Sequence, residues 1–203
     1  MKVKICGLTQ PEHVEICVNN GADFCGFILN YSKSHRCISF EKAKELSSLI
    51  KKKTKYVGVL VNPNNEELKK YSLLDFDYFQ LYGSFSADKL KEIKNKYKKK
   101  IIFSIQVETK EDIESYKKYA EIADIMLFDS KGYEKSLSWN YNWIKDVTIT
   151  KMIGGNIDED KLENIYKLAD IVDVSGALET NKVKDITKIK SFLNKVKKIN
   201  NEN

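Results

Sequence analysis

The chain has 203 residues, of which 35 are Lys or Arg and 29 Asp or Glu, for a formal net charge of +6. Hydrophobic residues make up 42% and charged ones 32%, with two prolines, a balance that excludes a disordered, Pro-rich or collagen-like chain. The longest uncharged apolar stretches, such as residues 24–29, fall far short of the ~18 needed to cross a membrane, and Met1 leads into a strand-like segment without a signal-peptide core.

Short apolar runs rich in β-branched residues recur along the chain at 3–6, 24–29, 56–61, 78–81, 101–105, 122–128, 148–153 and 171–174. Helical periodicity fills much of the space between them, clearest at 40–51, 65–72, 87–97, 110–119, 158–168 and 185–196. Helix starts are marked by Thr9 with Pro11, by Ser39, by Asn64 and Asn65 after Pro63, and by Ser86. The final residues, about 199–203, are expected to fray. Runs such as FCGFIL and YVGVLV are unbroken rather than alternating, as in strands buried between helices. The pattern predicts eight parallel strand–helix units of about 25 residues each, and eight such units close most naturally as a single-domain (β/α)8 barrel over 1–203. An open doubly wound sheet binding a dinucleotide would carry an early G-x-G-x-x-G turn, and the chain has none.

Of the 35 basic residues, 34 are lysines, set among Glu and Asp on helix-like segments such as Glu41, Glu45, Glu66 and Glu92. That is a solvated face, not an Arg-and-aromatic nucleic-acid groove. Cys6, Cys17, Cys25 and Cys37 match no finger spacing, and the two histidines are His13 and His35, so free thiols and no metal site are expected. No nucleic acid or membrane partner is expected, and the chain is read as cytoplasmic.

In this fold the chemistry lies where strands end and helices begin. The predicted rim holds Cys6-Gly7, Asn30 to Arg36, Asn62, Gln80 to Gly83, Gln106, Asp129-Ser130, Gly154-Gly155 and Ser175-Gly176-Ala177. The glycine pair after strand seven and Ser-Gly-Ala after strand eight lie where barrels bind phosphate on backbone amides; simple chain turns would use the same residues. Arg36, the one guanidinium, offers a planar fork to a carboxylate or phosphate. Cys6 reads as a base or nucleophile whose pKa is lowered at a helix start. Asp129, directly after an apolar run, reads as an acid raised by partial burial. A core cysteine and a helix-capping aspartate fit the same spacing.

Those residues lie in a set of motifs found in register: KICGLT at 4–9, GADFCGFIL at 21–29, SKSHRCIS at 32–39, YVGVLVN at 56–62, FQLYG at 79–83, LFDS at 127–130, MIGGN at 152–156 and VDVSGALET-NKVKD at 172–185. Together they resemble the phosphoribosylanthranilate isomerase family of tryptophan biosynthesis over effectively the whole chain. The resemblance implies a cofactor-free Amadori rearrangement of N-(5-phosphoribosyl)anthranilate. By the same resemblance Asp129 is the general acid that opens the furanose, and Cys6 the general base that takes the C2′ proton. Arg36 is then expected to hold the anthranilate carboxylate, and Gly154, Gly155, Ser175 and Gly176 the phosphate. Gln80 and Asp173 are expected at the sugar, in a monomer or weak homodimer.

The chain departs from the family pattern at several places. His35 stands for a proline, Tyr82 for a histidine, and Ser175-Gly176-Ala177 shifts a glycine by one position, so that Ala177 inherits its backbone conformation. The loop after strand six has one glycine in the segment 131–135, which predicts slower closure. Two other phosphate-binding barrels compete. A ribulose-phosphate epimerase needs histidine ligands on its strands, and indole-glycerol-phosphate synthase needs Lys and Glu inside strand ends, which these strands are not expected to offer. A noncatalytic basic binding protein is the remaining alternative, and binding that falls steeply with salt would mark it.

Overall fold

Eight parallel strands close on themselves in sequence order in the computed structural model of the chain, which describes residues 1–132 and 137–202. They are β1 (Lys2–Cys6), β2 (Phe24–Ile28), β3 (Lys55–Val61), β4 (Tyr78–Tyr82), β5 (Lys100–Val107), β6 (Ile125–Ser130), β7 (Lys151–Ile153) and β8 (Ile171–Val174). The register Val3 to Val172 and Ile5 to Val174 between β1 and β8 seals the ring, which makes the fold the predicted (β/α)8 barrel. A two-residue ribbon, β9 (Glu179–Thr180) with β10 (Val183–Lys184), lies beyond β8.

Among the described residues seven α-helices surround the barrel: α1 (Pro11–Asn19), α2 (Phe40–Ser47), α3 (Asn65–Ser72), α4 (Ala87–Tyr97), α5 (Lys110–Glu114), α6 (Leu162–Ile165) and α7 (Ile186–Glu202). Ser39, Asn64 and Ser86 cap α2, α3 and α4 through their side chains, with a full capping box from Asn64 and Glu67. Thr9 does not cap α1: the N-cap is Gln10, and Pro11 sets the first turn through its fixed φ. Between β6 and β7 the described residues make no α-helix, only a 3-10 turn at Tyr141–Ile144. β6 also begins later than expected and carries Asp129 within it. Helix α7 continues to Glu202 with Ile199 buried, across residues at which the sequence suggested fraying.

Alternation along each strand sorts side chains into two cores. Val3 and Ile5 face the helices, in one continuous core with Val14, Leu46, Leu90 and Phe192. The opposite parity fills the barrel, where Cys6, Phe24, Val57, Tyr78, Ile102, Leu127 and Met152 pack together. The inward row of β1 contains Lys4 and Cys6, that of β6 leads from Leu127 to Asp129, and that of β8 leads from Ile171 to Asp173. The strand pleat therefore aims the polar groups at one end of an otherwise apolar interior.

Candidate active site

A cavity of about 440 Å³ opens at the C-terminal ends of the strands. All nine residues singled out in the sequence line it: Cys6, Arg36, Gln80, Asp129, Gly154, Gly155, Asp173, Ser175 and Gly176. The expectation about loop closure concerns the segment 131–135, of which residues 133–135 lie outside the described residues.

Asp129 has both carboxylate oxygens engaged. Oδ1 accepts the backbone N–H of Ser130 at 2.9 Å, and Oδ2 accepts the hydroxyl of Tyr82 at 2.8 Å. Behind Tyr82, the Gln80 amide donates to the same hydroxyl at 3.2 Å, so a relay runs from β4 to β6. Gln80 is fully buried, and its Oε1 has no partner among the described residues. Burial lifts the carboxyl of Asp129 from 3.8 to about 6, against the downward pull of the Tyr82 hydrogen bond, with the charge of Asp173 adding a smaller push upward. Gly154 stands against this carboxylate: a Cβ there would lie 2.7 Å from Oδ1. The glycine is the clearance that lets Asp129 stand upright in the wall.

Cys6 occupies the end of β1 on the far side of the mouth. Burial raises its pKa, and the nearby positive charge of Lys4 only partly offsets that, so the lowered thiol pKa expected from a helix start does not occur. Lys4, which the sequence reading passed over, is fully buried inside the barrel and donates to both oxygens of Asp173, at 2.9 and 2.8 Å. The strands thus do carry a lysine in the barrel interior, contrary to expectation. Its signal was the period of two that places residue 4 on the same face as Cys6.

Arg36 forks onto Glu179, with Nε to Oε1 at 2.5 Å and Nη2 to Oε2 at 2.9 Å. Glu179 also takes the Lys184 ammonium at 2.6 Å and faces His35 Nε2 at 3.1 Å. Burial alone would raise Glu179, but hydrogen bonds from Arg36 and Lys184 together with their charge hold it down at about 2. Lys184, itself buried, reaches on to the Ser175 carbonyl at 3.1 Å, while the Ser175 hydroxyl donates to the Cys6 carbonyl at 2.9 Å. Glu179 and Lys184 were not picked out from the sequence because their partners are 143 and nine positions away.

The phosphate-type end differs in detail from the expectation. The Gly154 amide donates to the Phe128 carbonyl at 2.8 Å and so is already used. The carbonyl oxygens of Gly154 and Gly155 accept from Trp139 Nε1 at 3.0 Å and the Tyr141 hydroxyl at 2.5 Å. Gly155 has φ +92, where a side chain would be strained. Ala177 sits in the 3-10 turn Gly176–Leu178 without a positive φ, so the shifted glycine costs it no backbone strain. Among the described residues no three His, Cys, Asp or Glu side chains converge as a metal cluster, and no helix is long and apolar enough to cross a membrane.

The family model for N-(5′-phosphoribosyl)anthranilate (PRA) isomerase matches residues 3–195. An N-(5′-phosphoribosyl)anthranilate isomerase of Streptococcus mutans is 36% identical, over 97% of this chain and 99% of its own. A crystal structure of phosphoribosyl anthranilate isomerase from Thermotoga maritima superposes with a TM-score of 0.87 at 29% identity, covering 98% of this chain and 99% of that one. A further structure of such an isomerase, in complex with reduced 1-(o-carboxyphenylamino)-1-deoxyribulose 5-phosphate, has a TM-score of 0.85 at 28% identity, with the same coverage.

Proposed function

The chain belongs to the N-(5′-phosphoribosyl)anthranilate isomerase family and carries that family's reaction in tryptophan biosynthesis; we propose that Asp129 supplies its general acid and Cys6 its general base. The reaction turns an aminoaldose phosphate into the aminoketose 1-(2-carboxyphenylamino)-1-deoxyribulose 5-phosphate, so only protons need to move. Asp129 gives its proton to the ribose ring oxygen as the C1′–O bond breaks. The nitrogen lone pair then forms the C1′=N iminium. Cys6, as thiolate, removes the C2′ proton, and that electron pair makes the C1′=C2′ bond of an enolamine while the iminium nitrogen recovers its lone pair. Reprotonation at C1′ and loss of the hydroxyl proton give the ketone. Each positioned proton transfer is worth ~10²–10⁴-fold.

The observation that carries this reading is the placement of Asp129, buried at the cavity wall with the clearance that a side chain on Gly154 would fill, so that burial lifts its carboxyl to about 6. A carboxyl near neutrality is an acid that can still give up its proton. Arg36 takes the anthranilate carboxylate, with Glu179 and Lys184 fixing the guanidinium plane. The phosphate falls to Gly155, Gly176 and Ala177, which line the same cavity, Gly176 beside the Arg36 guanidinium. Asp173 and the unpartnered Oε1 of Gln80 face the sugar. The enzyme works as a monomer or weak homodimer in the cytoplasm; sedimentation at micromolar concentration checks the first point.

The test is loss of phosphoribosylanthranilate fluorescence with wild type, Cys6→Ala and Asp129→Asn. Wild type consumes the substrate, and each variant is at least ~10²-fold slower. Absence of wild-type turnover removes the isomerase reading, and full activity in both variants rejects the two roles.

A further inference from the structure

Lys4 has no part in the proton transfers above, yet it lies fully buried beside one of the groups that does. Replacing a buried ion pair by apolar side chains of similar size commonly leaves a protein as stable or more so, so the Lys4–Asp173 pair is poorly explained as a stabilising device. The geometry around it is specific. Gly26 is the register partner of Cys6 on β2. A Cβ on Gly26 would lie 2.9 Å from Cys6 Sγ and 3.1 Å from both Cε and Nζ of Lys4. The missing side chain thus opens one hollow that the sulfur and the ammonium share. Asp173, at 2.8–2.9 Å on both oxygens, fixes the ammonium from the β8 side.

We propose that Lys4 is a positioning residue for the reaction, the counterion that lets Cys6 exist as a thiolate inside an apolar barrel, with Asp173 holding its ammonium at that place. The inference rests on Cys6 being the base. The charged and titratable groups facing the thiol are Lys4 on its own strand, Asp173 on β8, Lys184 on the ribbon and Tyr82 on β4; Cys25 on β2 points to the helix side, behind the strand. Of these, Lys4 pulls the thiol downward most, chiefly by its charge; Lys184 adds a weaker pull in the same direction, and Asp173 pushes the other way. Lys4 itself stays protonated, because Asp173 and Cys6 outweigh the cost of its burial. The arrangement separates two demands: the interior stays dry for the iminium, and the base keeps one fixed positive neighbour.

Iodoacetamide alkylation of Cys6, followed by peptide mass spectrometry across a pH series, reads the thiolate without requiring turnover. It is run on wild type, Lys4→Met, and the double variant Lys4→Met/Asp173→Asn, which leaves no unpaired buried carboxylate. The expected result is an upward move of the Cys6 midpoint by about one pH unit in Lys4→Met, a tenfold loss of thiolate at a given pH, and a smaller upward move in the double variant, which also loses the opposing charge of Asp173. In Lys4→Met a comparable fall in kcat with KM changed less than about threefold accompanies it; the double variant, which alters a sugar-facing residue, is read by alkylation alone. A midpoint unchanged or lowered in the folded variants overturns the inference. If Cys6→Ala is inactive alongside that result, the base stands and only Lys4 loses its role. Full turnover by Cys6→Ala removes the base and with it any part for Lys4 in the reaction.

Discussion

Removing one hydroxyl, in Tyr82→Phe, should move the low-pH limb of kcat/KM upward. Asp129 titrates at about 6, while burial holds the Cys6 thiol above its ordinary value of 9.0. The dominant form near neutrality therefore has Asp129 ionised and Cys6 protonated. The productive form, with the acid protonated and the base ionised, carries the same number of protons. Its share is constant between the two values and falls tenfold per pH unit below the lower one, so the ascending limb follows Asp129. Tyr82 donates to Asp129 Oδ2 at 2.8 Å and thereby favours the carboxylate. A hydrogen bond to a charged group is worth ~1.5–3 kcal/mol, and 1.36 kcal/mol is one pKa unit, so deleting it raises Asp129 by about one to two units. The ascending limb should move from about 6 to about 7–8. The assay is the initial rate of substrate fluorescence loss at low substrate, between pH 5 and 10. A limb that stays at about 6 or moves lower refutes the assignment of that limb to Asp129, or the direction of the Tyr82 bond.

Three other outcomes follow from the same geometry. Gly154→Ala places a methyl 2.7 Å from Asp129 Oδ1 and pushes the acid aside; since ~1 Å of misplacement costs on the order of 10²-fold, kcat should fall ten- to hundredfold with KM little changed, as steady-state kinetics will read. Arg36→Met loses a charge-assisted hydrogen bond to the substrate carboxylate worth ~1.5–3 kcal/mol and should raise KM by about ten- to hundredfold; an aniline analogue without the carboxylate should bind wild type and variant alike if the guanidinium meets that group. Glu179 is held at about 2, below its ordinary 4.5, so its contribution to stability is complete above the higher value and is lost as pH falls toward the lower one. Thermal melts between pH 5 and 2 should show a steeper loss for wild type than for Glu179→Gln, and parallel curves would contradict that ion-pair network.

Much of the barrel could be read from the chain because its strands are unbroken apolar runs bounded by glycine and polar residues, a signal carried within five or six residues. The helices on the β5–β8 side were less legible. Segment 110–119 is split into α5 and a 3-10 turn, and 158–168 into a 3-10 turn and a four-residue α6. Periodicity alone cannot report how far neighbouring strands allow a helix to extend. At the site, Cys6, Asp129 and Arg36 announce themselves as reactive or singular side chains at strand ends. Lys4 is hidden among 34 lysines; strand parity puts it on the face of Cys6, but Lys2 shares that parity and is exposed because it stands at the strand's first position, so position along the strand is also needed. Glu179 and Lys184 become meaningful only when the barrel closes and brings the ribbon against Arg36. The thiol pKa is not legible from the chain because desolvation, which depends on the closed barrel, outweighs the helix start that the sequence shows.

The order of events, Asp129 first and Cys6 second, is tested most directly by trapping the ring-opened iminium. Cys6→Ala and Asp129→Asn are loaded with phosphoribosylanthranilate and quenched with borodeuteride, which delivers deuterium to C1′ of an iminium but to C2′ of any ketone product. Cys6→Ala should open the ring and stall, giving C1′ label well above a protein-free control, while Asp129→Asn should stay near that control. Equal C1′ labelling in the two variants, or none with Cys6→Ala, would contradict the assignment of acid and base.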